Sequence, residues 1–275
     1  MPRSRLQPNG NRRALGWAAA AIGPGAEVLA AAPLAGGGWH ANDAVDVRDA
    51  RGRVHELVLR RWSRPEWRDE DAHLTPEREA AVLAHLERER FALEFPRVVA
   101  ADPDGDRCGA PALLLTRLAG EPAGTAPREY AAALRAVHAL APAFGRWAPY
   151  YELERLRPPN ALWERALEVA AGPAPDLPET FVHRDFNPGN TLWRDGRLTG
   201  VIDWTQACTG PAAADAGHLR WNLGPELARD EHHPWWDVRT LLDALPELGA
   251  ATVARLERYL AAALAELGLT PPARW

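Results

Sequence analysis

The stretch Val182-His183-Arg184-Asp185-Phe186-Asn187-Pro188-Gly189-Asn190, with Asp203 following thirteen residues after Asn190 in Val201-Ile202-Asp203-Trp204, decides how the rest of the chain is read. Asp185 and Asn190 lie five apart in a segment rich in the Asn, Pro and Gly that turns use. Leu192-Trp193, the turn Arg194-Asp195-Gly196 and the apolar run 198–202 read as a β-hairpin. That hairpin returns a second carboxylate, Asp203, with a buried base and an exposed tip. Phosphoryl transfer from a nucleotide needs little covalent help from a protein. It needs a carboxylate that orients or deprotonates the acceptor hydroxyl, and hard oxygen ligands that hold Mg²⁺ on the phosphates. Asp185 suits the base, and Asn190 and Asp203 suit the metal. Taken singly, Asp185 and Asn190 are also ordinary turn residues; Asp203 and the hairpin before it weigh against that plainer reading.

Outward from this segment the chain changes character near Gly120. Residues 1–13 are polar and basic and read as a disordered leader. The apolar run 14–22 follows Arg12-Arg13 in the manner of a short signal peptide. It is only nine residues long, and Gly23-Pro24-Gly25 ends it at once, so it reads as an amphipathic helix packed on the domain. Strands are expected at 26–34, 44–47 and 54–62, with Asp49-Ala50-Arg51-Gly52 as a turn. Thr75-Pro76-Glu77 opens a helix to about residue 90, with Thr75 as N-cap. Short strands follow at 95–100 and 112–117. Beyond Gly120, helices are expected at 129–140, with Tyr130, Leu134 and Val137 on one stripe, and at 253–267. The expected fold is α+β: a small antiparallel β-sheet lobe with one main helix at 14–118, then a larger, mostly helical lobe at 119–275.

Composition supports an ordered globular chain and narrows its partners. Of 275 residues 47% are apolar and 25% charged, and the net charge is −5. That balance disfavours a nucleic-acid surface and permits a cationic substrate. All 32 basic residues counted as lysine or arginine are arginine. Two cysteines, Cys108 and Cys208, have neither metal-ligand spacing nor disulfide density, which points to a reducing, cytoplasmic setting. No run approaches the ~18 apolar residues of a membrane span. His183, His218, His232 and His233 lack metal-ligand spacing; His183 reads as a structural residue beneath the loop, and surface or capping histidines are expected otherwise.

The motif HxDxxxxN at His183, Asp185 and Asn190, followed by Ile202-Asp203-Trp204, resembles the aminoglycoside phosphotransferase and choline-kinase-like family of small-molecule kinases, which share the protein-kinase-like fold. Gly210-Pro211 with Asp215-Ala216-Gly217-His218-Leu219 is similar to a further family element, and the resemblance implies that Asp215 props up the catalytic loop. Arg135-Ala136-Val137-His138-Ala139-Leu140 resembles the family's Leu-x-x-Leu-His helix. The resemblance implies a two-lobed kinase in which 14–118 binds ATP or GTP and 119–275 carries catalysis and a small-molecule hydroxyl substrate. It implies Mg²⁺ on Asn190 and Asp203, Asp185 as base, and His183 as a structural residue beneath the loop. Aminoglycoside-like antibiotics, sugars and amino alcohols are the acceptor classes it brings, with no nucleic acid or membrane partner and a monomer or homodimer.

The smaller lobe extends the comparison. Arg60 in Leu57-Val58-Leu59-Arg60-Arg61-Trp62 stands where the family usually has a phosphate-gripping lysine. A one-residue slip would bring Arg61 to that place. Glu79, Leu83 and Leu86 share a helix face, and a carboxylate on a buried stripe needs a cationic partner. Gly37 and Gly38 fit a loop over the phosphates or a plain hairpin turn, and Thr116 and Leu118 would flank the adenine. Candidate acceptor-pocket residues are Trp163, Trp221, Asp230, Glu231, Trp235, Trp236 and Asp237. The second reading left open is a kinase-fold ligand-binding or regulatory module that has lost transfer, on the strength of the missing lysine.

Overall fold

The computed structural model describes residues 8–34, 40–63, 74–122, 124 and 126–270. Two compact units divide the chain: Met1–Arg90, Glu94–Gly120 and Gly200–Gln206 form the first, and Phe91–Leu93, Glu121–Thr199 and Ala207–Trp275 the second.

The first unit runs α1 (Pro8–Ile22), β1 (Glu27–Pro33), β2 (Ala41–Arg48), β3 (Val54–Arg61), α2 (Pro76–Arg88), β4 (Val98–Asp102) and β5 (Ala112–Thr116). Its strands form an antiparallel sheet in the order β1-β2-β3-β5-β4. β3 is central because both of its edges are paired, and its alternation separates two kinds of side chain. Leu57 and Leu59 point to the face where Val45, Val47 and Leu114 pack with Ala14, Trp17 and Ala18 of α1. Arg60 lies on the other face and pairs in register with Asn42 and Leu113. The amphipathic helix read at 14–22 therefore does pack on the domain. It begins earlier, at Pro8, so residues 8–13 of the expected leader are helical; residues 1–7, like Gly37 and Gly38, lie outside the described residues. Thr75 caps α2, its Oγ1 accepting from the Arg78 N–H at 3.2 Å, with Pro76 in the first turn.

The second unit contains β6 (Glu121–Pro122), α3 (Pro127–His138), α4 (Ala161–Ala170), β7 (Glu179–Val182), β8 (Thr191–Arg194), β9 (Arg197–Val201), β10 (Cys208–Pro211), α5 (Ala212–Leu223), α6 (Pro234–Ala244) and α7 (Ala250–Glu266). β7 and β10 pair antiparallel, and β6, β8 and β9 form a second small sheet. The β8–β9 hairpin turns on Asp195 and Gly196, with φ of 52° and 76°. That left-handed pair is what a two-residue hairpin needs to match strand twist. The last two residues of β9 belong to the first unit: Gly200 bridges to Glu94, and the Val201 N–H donates to the Glu94 carbonyl at 3.0 Å. This is how the segment carrying Asp203 joins the β-sheet unit, although in sequence it falls among the helices.

Helices α4, α6 and α7 share a core of Leu162, Trp163, Leu241, Leu242, Leu256 and Leu260. Helix α5 is buried on most of its circumference, with Ala213, Ala214, Asp215, Ala216, Gly217, Leu219 and Arg220 all inside. A Cβ on Gly217 would stand 2.9 Å from the Trp236 carbonyl oxygen, so only glycine lets α5 approach the backbone of α6 this closely. Among the described residues no helix is long and apolar enough to cross a membrane.

The same substitution at two glycines is expected to act with opposite signs. Gly217→Ala overpacks the α5–α6 contact and should lower stability by about 1–3 kcal/mol. Gly16→Ala, in α1 with nothing within 4 Å of the added methyl, should raise it by about 0.5–1 kcal/mol through helix propensity. Denaturant unfolding of both variants checks the pair, and a neutral Gly217→Ala would show that the helices have room to separate.

Candidate active site

In the second unit the informative loop leaves β7 and is anchored by α5. Asp215, in the first turn of α5, is fully buried. Its Oδ2 accepts from the His183 N–H at 2.8 Å, and its Oδ1 from the Arg184 N–H at 2.6 Å. The second of these holds Arg184 at φ 70°, a left-handed conformation that costs a bulky residue of order 1 kcal/mol. His138 at the end of α3 completes the site, its Nε2 3.2 Å from Asp215 Oδ2 and its Nδ1 2.9 Å from Glu231 Oε1. Burial pushes the His138 pKa down, but the bonds and charges of Asp215 and Glu231 together outweigh it and raise the ring to about 9. Burial likewise pushes Asp215 up, and His138 reverses this, leaving the carboxyl below the usual carboxylate range. At neutral pH the His138–Asp215 pair is therefore an imidazolium against a carboxylate.

The loop held in this way presents Asp185. Its Oδ2 accepts from the Asn190 amide at 2.7 Å and its Oδ1 from the Asn187 amide at 2.9 Å, and both amides also reach its carbonyl. About a third of the side chain remains exposed, 35%. His183 is buried beneath, its Nδ1 accepting from the Asp185 N–H at 3.3 Å and its ring set edge-on to Phe186. Asn190 spends its amide nitrogen on Asp185, so the donor it offers a cation is Oδ1. That is a hard oxygen, of the kind Mg²⁺ takes.

The first unit gathers a second charged cluster. Arg60, on β3, places Nε 3.0 Å from Oε2 of Glu79 on α2, and Nη2 2.6 Å from Asp203 Oδ1 and 3.1 Å from Thr205 Oγ1. Arg61 turns to the opposite face and pairs with Asp43. The strand register is thus the one that brings Arg60, and not Arg61, to Glu79. Glu79 is almost fully buried, and burial pushes its pKa up while Arg60 opposes. Asp203 adopts φ 64° just past β9, and its side chain is 37% exposed. It too is a hard oxygen donor of the kind Mg²⁺ accepts. His40 lies against Trp62, and burial and then the charge of Arg60 push it down to about 3, so its ring is neutral. Thr116 ends β5 with its Oγ1 accepting from the Arg97 N–H at 2.9 Å. Leu118 packs where Gly200 leaves room for it.

Several expectations change here. His218 is neither a surface nor a capping residue: its side chain is 13% exposed and its Nε2 lies 3.3 Å from Asp185 Oδ1. Its position three residues after Asp215, on one helix face, is the signal that would have found it. His233 does cap, accepting from the Trp235 N–H at 3.2 Å. Of the acceptor-pocket candidates, Trp163, Trp235 and Trp236 are core residues. Asp237 is buried on Arg220 and His232, and Glu231 is bound to His138.

The sheet unit thus carries a buried arginine–glutamate pair, and the helical unit presents an oriented carboxylate from an anchored loop. The chain belongs to the phosphotransferase enzyme family (APH), whose model matches residues 31–233. The macrolide 2′-phosphotransferase MphH from Brachybacterium faecium has a similar fold, with a TM-score of 0.55 at 19% identity over 95% of this chain and 93% of that one. The aminoglycoside phosphotransferase APH(4)-Ia, in its complex with ADP and hygromycin B, gives a TM-score of 0.59 at 17% identity over 87% of this chain and 94% of that one. The expected α+β, protein-kinase-like fold is thereby shown. A homoserine kinase from Methylorubrum populi is 30% identical over 156 residues, 49% of this chain and 49% of its own length. The match thus spans about half of that curated relative.

The raised pKa of His138 makes a stability prediction whose sign follows from proton binding. The folded value of about 9 exceeds the ordinary 6.5, so the fold binds the proton more tightly than the unfolded chain does. The stabilisation is complete below about 6.5 and is lost as pH rises through about 9. The difference in unfolding free energy between the wild type and His138→Gln should shrink across that window. A constant difference would show a neutral ring in the folded state.

Proposed function

We propose that this protein transfers the γ-phosphoryl group of ATP or GTP to a hydroxyl of a small molecule, with Asp185 as the catalytic base. One observation carries the reading: Asp185 is fixed by the Asn187 and Asn190 amides at 2.9 and 2.7 Å and yet a third exposed, an acceptor-only group held still and open to a substrate. An incoming hydroxyl would donate to this carboxylate, which orients the oxygen and takes its proton as transfer proceeds. Asn190 and Asp203 are assigned as the ligands of Mg²⁺, which when bound supplies the positive charge that neutralises the phosphates. Arg60, oriented by Glu79, is assigned to the phosphates, and Thr116 and Leu118 to the adenine. His183 and Asp215 support the loop without touching substrate.

The relatives set the acceptor classes to be tried. Amino alcohols follow from the homoserine kinase, and hydroxyl-rich antibiotics from the complex with hygromycin B. Cys108 and Cys208, both buried and in no disulfide, support a reducing, cytoplasmic location as part of the same proposal. A second reading, a binding module without transfer, is favoured by one contact: Arg60 stands in place of a lysine and engages Asp203 directly at 2.6 Å.

Turnover of MgATP and MgGTP against a panel of hydroxyl acceptors separates the two readings. The wild type should transfer phosphate, and Asp185→Asn should lower kcat by roughly 10²–10⁴-fold with nucleotide binding kept. Nucleotide binding with no transfer to any acceptor would favour the module, and near-native turnover in Asp185→Asn would remove the base.

The ion pair in the first unit makes a separate prediction. Arg60→Ala and Glu79→Ala should each raise the nucleotide KM or lower kcat, and the double variant should lose less than the two effects combined, because the side chains act as one network. Arg61→Ala should leave nucleotide kinetics unchanged. Additive losses at Arg60 and Glu79 would mean that the two side chains act independently.

A further inference from the structure

We infer that His218 is a positioning residue for Asp185: it ties one oxygen of the proposed base to helix α5, so that the carboxylate meets the acceptor in a single orientation. The inference rests on the base assignment above and adds a residue to it. The Asn187 and Asn190 amides that hold Asp185 belong to the same loop as Asp185 itself, and would move with it. His218 comes from outside the loop, with Nε2 3.3 Å from Asp185 Oδ1. A catalytic contact of this length in a substrate-free site commonly tightens when the substrate binds.

The helix is well suited to the task. Three residues before His218, Asp215 binds the backbone N–H groups of His183 and Arg184. α5 therefore holds the loop twice, by its backbone through Asp215 and by the side chain of its base through His218. Gly217, between the two, lets α5 sit hard against the Trp236 backbone, which fixes the helix itself. The imidazole ring lies 4.9 Å from the Trp221 ring, tilted by 47°, which restricts its rotation.

Chemistry sets the direction of the contact. A carboxylate only accepts, so the nitrogen facing it must carry the hydrogen, and Nε2 carries one in the Nε2–H tautomer as well as in the imidazolium. Burial pushes His218 down to about 4 against the pull of Asp215, so the donor is the neutral ring. A neutral donor orients Asp185 while drawing less on its basicity than a cation would. The two histidines near the loop thus divide their work: His138 is charged and locks Asp215, while His218 is uncharged and aims Asp185.

The test begins with a measurement that needs neither an acceptor nor a variant. In the full-length wild type labelled with ¹⁵N histidine, NMR should show His218 protonated at Nε2; a ring protonated only at Nδ1 would overturn the inference, because a lone pair would then face the carboxylate. Kinetics follow with MgATP and the best acceptor of the panel, water included. His218→Leu should lower kcat by roughly ten- to a hundredfold with the nucleotide KM unchanged, and His218→Gln, which restores an N–H donor, should recover most of the loss. Equal losses in both variants, or a loss confined to the nucleotide KM, would overturn it. Should Asp185→Asn prove active, the base assignment fails by that result alone, while the His218 tautomer is still read directly.

Discussion

A carboxylate without access to water, Asp215, is the group around which the helical unit is arranged. Leaving such a charge alone in an apolar interior costs several kcal/mol, and the fold resolves this with two backbone N–H groups and an imidazolium. The partners come from two places: the loop after β7 gives the N–H groups of His183 and Arg184, and α3 gives His138. Satisfying one buried ion therefore fixes the ends of two elements and the course of the loop between β7 and β8. Arg184 is kept in a left-handed conformation by the same bond, and the backbone that presents Asp185 is set before any substrate arrives. Glu231 extends the arrangement to the short turn at Arg229–Glu231, because it faces Nδ1 of His138 while Asp215 faces Nε2.

The sheet unit solves the opposite problem. There the buried ion is a cation, Arg60, and its partners are acidic: Glu79 beneath it and Asp203 at the end of the returning strand. A guanidinium serves this geometry better than an ammonium, since its planar fork reaches separate acceptors at fixed angles. Register makes the arrangement specific. Sliding β3 by one residue would bury Arg61 against Glu79 and turn Leu57 and Leu59 away from α1, so the hydrophobic face and the ion pair enforce the same pairing.

What could be read from the chain alone was whatever depends on short spacings. The loop at 182–190, the Asp195-Gly196 turn and the Thr75 cap are local devices, set by residues that lie close together in the chain. The partnership of Arg60 with Glu79 was legible to within one residue, because alternation gives two candidates and only three-dimensional pairing chooses between them. Helices α4, α5 and α6 were not foreseen. α5 is buried on nearly every side, so it has no polar stripe to reveal a period. The start of α1 at Pro8 escaped for a related reason, since its first turns are polar and carry no apolar rhythm. His218 was passed over because its partner is distant in sequence, and only the path of α5 brings the two together. The segment 200–206 shows the same limit: its residues are local to the helices in sequence and belong to the sheet in space.

The arginine at position 60 also decides how this chain meets chemical reagents. No lysine occurs anywhere in the sequence, so an acylating probe that labels phosphotransferases through a side-chain amine finds nothing to react with. Amine-directed cross-linkers and acetyltransferases are left with the α-amine alone. A guanidinium stays protonated at any physiological pH and is a poor nucleophile, so the cationic group beside Glu79 is chemically inert while electrostatically intact. Amine labelling would therefore report a single point on this protein, and amine coupling would tether it in one orientation.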